Sequence, residues 1–424
     1  MISHGLVKIY KNNKVMFYTL LSVFLFIFLY RYISYKTFHT SFHDFYFFDQ
    51  SIWNFVQGNG FYLSVFDMSF LADHFYPWLL LFVPFYYVYS SPVWLFIGQA
   101  IVVMLMVYPI LKIAEDEVGK KGMYLVILLL FTYLPFRMMA SDIHGEHWLA
   151  MLFSWVLYSI YYEKNKLLYF FVFLLPFAKE SAASIIVSIG IYFVLIKRSV
   201  LKGCLISLWG IVTSLLVIKH IIPAFGDNAY MYASKYSYLG ETIADKLLTL
   251  LTNPHVMVSN VFTMDKLVYV FLLFAPLCFL SLKSSFIVLL FGSLMQNILS
   301  NYWGFYDITA HYTFTMIPVL FISAIIGYSN MKKNDPELLK IKSKRYRKII
   351  IFFICLNLIY FIFFELRNVL ISNDLKPQYE MLKKIPKDAS VSTDANFFGH
   401  LQYRNNIYRL TTEHDSSSLV SGLN

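Results

Sequence analysis

The run V-M-F-Y-T-L-L-S-V-F-L-F-I-F-L-Y-R-Y, Val15 to Tyr32, decides the class of this chain. It is long and apolar enough for a membrane-spanning helix. Lys8, Lys11 and Lys14 precede it and no small-residue cleavage site follows. The run therefore predicts an uncleaved first span with a cytoplasmic N-terminus rather than a removable signal peptide. The composition agrees. Of 424 residues, 58% are hydrophobic and only 14% charged, whereas a soluble domain is nearer half apolar and a quarter charged. The net charge of +10 falls in short runs between apolar segments, which is a topology signal and excludes a nucleic-acid partner. Cys204, Cys278 and Cys355 lie inside apolar segments without ligand-like spacing and read as core or lipid-facing residues.

Working outward, ten further spans are predicted at about 92–113, 123–139, 149–162, 167–178, 182–196, 204–222, 266–282, 286–299, 313–328 and 349–365. Each inner connection carries Lys or Arg, from E-D-E-V-G-K-K-G (Glu115 to Gly122) to the basic run Lys332 to Lys348. The positive-inside rule then places the N-terminus in the cytoplasm and the C-terminus outside. Contact of the basic run with anionic membrane lipid is a secondary reading. Phe75 to Tyr89 is apolar, but its 15 residues rise only about 22 Å and carry Pro77 and Pro84, so a helix on the outer surface is expected. The fold expectation is an all-α integral membrane protein. It comprises a transmembrane domain over 1–370, with a first outer loop at 34–91, and an extracytoplasmic α/β segment at 371–424. In that segment, 389–393 and 406–410 read as strands around a helical turn at 396–401. It is expected to pack on the outer loops or to begin a larger domain. Walker-type, dinucleotide-binding and H-E-x-x-H motifs are missing, as is an internal repeat.

Ionisable groups gather in the outer connections. The first loop holds His39, His43, Asp44, Asp49, Asp73 and His74; the second holds Asp142, His144, Glu146 and His147. Lys179-Glu180 and the pair Asp307 and His311 come from later loops. Asp49, between aromatics at the membrane boundary, suits a general base, with Asp44 as second candidate; the plainer reading is a solvated carboxylate. Asp142, His144, Glu146 and His147 have the spacing to hold a divalent metal ion; alternatively, Asp142 caps the fourth span. Lys179 suits an anionic substrate group; the alternative for Lys179-Glu180 is an ion pair between two helices. His43, Asp73, His74, Lys179, Glu180 and His311 form the substrate-binding set, His311 having helix packing as its alternative role.

Several phrases together resemble a family of predicted prokaryotic membrane proteins of unknown function. They are F-D-Q-S-I-W-N (Phe48 to Asn54), A-D-H-F-Y-P (Ala72 to Pro77), D-I-H-G-E-H (Asp142 to His147), A-K-E-S (Ala178 to Ser181) and I-P-K-D-A-S-V-S-T (Ile385 to Thr393). Gly145 stands where that family usually has Pro, and Ser181 where an acid is common. More distantly, the layout is similar to the GT-C membrane glycosyltransferases. That resemblance implies a catalytic acid in the first outer loop (Asp49, or Asp44), a surface helix after it, and a polyprenyl-phosphate-linked sugar donor. It names no acceptor. The functional expectation is sugar transfer on the outer face of the cell membrane. Asp49 would take a proton from an acceptor hydroxyl while Lys179 steadies the phosphate leaving group. The alternatives are a transporter or flippase of a lipid-linked or anionic solute, and a metal-dependent membrane hydrolase.

Overall fold

The computed structural model describes residues 14–39, 45–226, 231–366 and 375–410, and their regular structure is almost entirely helical. Among the described residues, five helices are long and apolar enough to cross a membrane: Lys14–Lys36, Val93–Thr132, Val200–Phe225, His311–Asn334 and Pro336–Phe363. A sixth candidate is the pair Pro254–Val261 and Met264–Leu277, bent by 65°. Shorter apolar helices, Asn165–Phe177, Ala182–Leu195 and Ser285–Ile298, stand where the fifth, sixth and ninth spans are expected.

The helix Val93–Thr132 is not one rod. Its 40 residues would extend about 60 Å if straight. Yet Gln99 Nε2 donates to the carbonyls of Met139 at 2.6 Å and Asp142 at 2.7 Å. The chain turns back at Gly119, whose φ of 68° lies in the left-handed region that glycine enters without steric cost. That turn falls inside the expected connection Glu115 to Gly122, so this one helix carries both the second and the third apolar segments.

His311–Asn334 runs through the middle of the bundle, and Ile317 to Ile325 are all buried. It packs against Val93–Thr132, the helix Gly145–Tyr161 and the turns at 280–290. Pro336–Phe363, by contrast, is mostly exposed and lies at the periphery. The basic run expected as a connection at 332–348 is helical there. Asp335 accepts the Leu338 N–H at 3.0 Å, and Pro336 occupies the first helical position, a strong N-terminal signal.

Close packing fixes part of the bundle. A Cβ on Gly292 would lie 1.9 Å from the Ser184 carbonyl oxygen, and the Gly292 N–H donates to Ser188 Oγ at 2.6 Å. Gly292→Ala is expected to cost about 1–3 kcal/mol, because one backbone must retreat from another. A lowered unfolding temperature in detergent is the measurement, and an unchanged one would show that the two segments are loosely held.

Phe75 to Tyr89 is not the single surface helix expected. It forms a 3₁₀ turn, Pro77–Leu81, and a short helix, Val83–Val88, because each proline sits where helical backbone must restart. Trp78, Leu79, Val83 and Tyr86 face inward, while Leu80, Leu81, Phe85, Tyr87 and Val88 are exposed.

The C-terminal segment is a small βαβ unit. Strands β1 (Val391–Thr393) and β2 (Ile407–Arg409) pair in parallel, Val391 opposite Ile407, with the helix Ala395–Leu401 as crossover. Asp394 caps that helix by accepting the Asn396 N–H at 2.8 Å. Phe398, Leu401 and Ile407 enter an aromatic core with Phe45, Tyr46 and Phe48 of the first loop, and Ser64 Oγ donates to the Ile407 carbonyl at 2.8 Å.

Candidate functional site

Five separate parts of the chain meet at one end of the bundle: Arg31 at the end of the first span, 73–76, 141–147, 179–181 and 311–312. His144 is the N-cap of the helix Gly145–Tyr161. His147 locks that start, its Nε2 on the Met139 carbonyl at 2.9 Å and its Nδ1 accepting the His144 N–H at 3.2 Å. The cap expected of Asp142 therefore falls to His144. The Asp142 carboxylate instead accepts the Ile143 N–H at 2.8 Å, with Arg31 Nη2 at 3.6 Å. Gly145 matters for shape, since a Cβ there would lie 2.3 Å from the Tyr76 ring.

Charges alternate through the cluster. Lys179 Nζ lies 2.7 Å from Glu146 Oε1, facing the rings of Tyr76 and Tyr312. Glu180, not Lys179, holds His74: Glu180 Oε1 meets His74 Nδ1 at 2.7 Å, and Glu180 Oε2 accepts the Phe75 N–H at 3.1 Å. Asp73 Oδ2 stands 3.9 Å from His74 Nε2, and Asp73 Oδ1 accepts from Tyr232 at 3.1 Å. Burial disfavours both charged forms of the His74–Glu180 pair. Even so, Asp73 and Glu180 hold the imidazole above its usual pKa, while His74 and Lys179 pull the Glu180 carboxyl down to about 2. Both shifts favour the imidazolium–carboxylate form of the pair. Lys179 thus forms an ion pair with a residue of the helix Gly145–Tyr161, and Glu180 one with His74, which joins the second loop and the first loop to this one.

The metal-ligand expectation changes in composition. His147 spends both ring nitrogens on backbone, as described above. Instead, ligand atoms of His144, Glu146 and His311 all lie within 4.8 Å of one another. The rings of His144 and His311 are stacked with centroids 3.7 Å apart. Asp142 Oδ2 stands 3.5 Å from His144 Nε2, behind this set rather than in it.

Asp49 is not in this cluster. It sits on the helix Phe45–Val56, fully buried, where the Tyr86 hydroxyl and Gln402 Nε2 donate to its carboxylate and the Tyr403 hydroxyl lies 2.9 Å from Oδ1. Burial pushes its carboxyl up to about 7, against the lowering effect of the bonds from Tyr86 and Tyr403. The neighbouring Phe48 packs on Tyr76, so one aromatic layer separates the two polar centres. His43 and Asp44 lie outside the described residues; His39 is exposed, with Nδ1 on Thr37 Oγ1 at 3.0 Å. Arg31, Gln99 and Tyr232 are members that motif reading passes over. For Arg31 the signal was present, since an arginine inside an apolar run carries a large burial cost unless it has a partner.

A family model described as Predicted membrane protein (DUF2079) matches residues 34–421 of the chain. No curated protein and no solved structure matches it.

Proposed function

We propose, on the premise that the chain belongs to the DUF2079 family of predicted membrane proteins, that this multi-pass membrane protein transfers a sugar from a polyprenyl-phosphate donor to an acceptor at the outer face of the cell membrane. In this reading the bundle makes about eleven crossings in a GT-C-like arrangement, with the N-terminus cytoplasmic, the C-terminus outside and lipid as its surrounding partner.

The observation that carries the proposal is the position of Phe75 to Tyr89 against the charged cluster. Its outward side is a row of exposed apolar groups, Leu80, Leu81, Phe85, Tyr87 and Val88. Its inward side delivers Trp78, which stacks on Trp148 and donates to the Ala178 carbonyl at 3.2 Å, next to Lys179. An amphiphilic donor needs such a junction: an apolar surface for the prenyl chain beside cations for the phosphate. Lys179 and the His74 imidazolium supply those cations and stabilise charge that develops on the leaving phosphate. Asp49, with a carboxyl near pKa 7, suits proton removal from the acceptor.

Purified protein in lipid vesicles, supplied with radiolabelled polyprenyl-phosphate sugars, is the test. Wild type is expected to pass label to an acceptor fraction. His74→Gln should lower the rate on the order of 100-fold, the scale of a lost charge-stabilising donor, and Asp49→Asn by a factor of 100 or more on the scale of general-base loss, about 10²–10⁴. Transfer at the wild-type rate in both variants would refute this assignment, and uptake without product would favour transport.

A further inference from the structure

We propose that His144, Glu146 and His311 form a Zn²⁺ site. Three observations carry it. One ligand atom from each residue lies within 4.8 Å of the other two. Glu146 is 4% exposed, and its Oε2 is a buried oxygen with no hydrogen-bond partner among the described residues. Its other oxygen, Oε1, is already fixed by Lys179 at 2.7 Å. A buried carboxylate normally has both oxygens satisfied, so an open Oε2 beside two imidazoles marks a place where a cation completes the shell.

The chemistry of the set is specific. Two imidazoles and one carboxylate are the three-ligand combination that holds Zn²⁺ with a fourth position open for water or substrate. Tetrahedral nitrogen and oxygen ligands at about 2.0–2.2 Å from the metal lie about 3.4 Å apart. Rotation of the imidazoles about their side-chain bonds closes the remaining gap. The rings of His144 and His311 are stacked at 3.7 Å, so holding one ion requires them to turn out of that stack until their in-plane lone pairs converge. Asp142 Oδ2, 3.5 Å from His144 Nε2, stands where a carboxylate orients a metal-bound histidine, and Lys179 does the same for Glu146. His311 arrives from a connection more than 160 residues further along the chain than His144 and Glu146, so the ion ties the start of the helix Gly145–Tyr161 to the start of the central span.

The site rests on this geometry and not on sugar transfer, and metal content reads it without any donor. The full chain is purified in detergent, stripped with a chelator and titrated with Zn²⁺. Wild type is expected to bind one ion per chain. His144→Ala, His311→Ala and Glu146→Gln should each weaken binding by at least tenfold, while His39→Ala, on an exposed histidine away from the site, leaves it unchanged. Substitution with Co²⁺ in the wild type gives a reading that needs no variant. Visible d–d bands of a nitrogen and oxygen shell are expected, without the charge-transfer band of a thiolate. Wild type that binds no stoichiometric Zn²⁺, a thiolate band, or binding that survives in folded His144→Ala and His311→Ala overturns the proposal.

Discussion

Lys179→Ala is expected to destabilise the folded chain by about 3–5 kcal/mol, the cost of leaving one partner of a buried ion pair alone. Lys179 and Glu146 are 5% and 4% exposed and lie 2.7 Å apart. With Lys179 gone and metal removed by a chelator, the buried Glu146 carboxylate would lose the cation on Oε1 in a place where Oε2 has no donor among the described residues. Adding Glu146→Gln to that variant should return most of the loss, because the remaining group is then neutral; the double-mutant cycle isolates the pair. Lys383→Ala is the contrast. Lys383 and Glu380 are also paired, at 2.9 Å, but both are largely exposed, and breaking such a pair changes stability by less than about 1 kcal/mol. Thermal unfolding of the variants in detergent checks both expectations. Equal small losses at the two sites would mean that water reaches Glu146.

Docking of the C-terminal segment on the first loop is expected to weaken as pH rises through about 7. Asp49 carries this dependence, since burial raises its carboxyl from 3.8 to about 7. A raised folded pKa means that the folded state holds the proton more tightly than the unfolded one. The stability contribution is therefore complete below about pH 4, declines above it, and is lost once the pH has passed through 7. The interval of about three units corresponds to roughly 4 kcal/mol. Because Gln402 and Tyr403 are the groups that meet Asp49 from the tail, the loss should appear there first. Amide exchange of Ala395–Leu401 should accelerate between pH 5 and pH 8 beyond its intrinsic base catalysis. Asp49→Asn should remove that excess. A protection factor that stays flat across this range in the wild type would rule out Asp49 as the sensor.

Much of the architecture was legible because apolar runs and basic connections are local signals. Val15 to Tyr32 marked the first span, Glu115 to Gly122 the reversal now seen at Gly119, and 389–410 the strand–helix–strand order of the tail. Local chemistry also misled. A run of fifteen apolar residues from Phe75 to Tyr89 reads as one helix, but Pro77 and Pro84 divide it. Lys332 to Lys348 reads as a connection, and the structure adds that Asp335 and Pro336 start a helix within it. The candidate site was legible as a population of residues rather than as a geometry. Asp73, His74, His144, Glu146, Lys179, Glu180 and His311 do gather, whereas Asp49, chosen for its aromatic setting, faces the tail.

By itself the sequence determined that this is a multi-pass helical membrane protein, since the free energy of placing apolar runs in lipid depends on composition along a short stretch. It also determined which connections are rich in acids and histidines. Only the tertiary structure decided the pairings, because each partner lies far away in the chain: His74 with Glu180, Lys179 with Glu146, His144 with His311, and Asp49 with Gln402 and Tyr403. Burial also pushed the Asp49 carboxyl up to about 7. That depends on the surrounding volume of protein, which no spacing along Val15 to Tyr32 or any other run encodes.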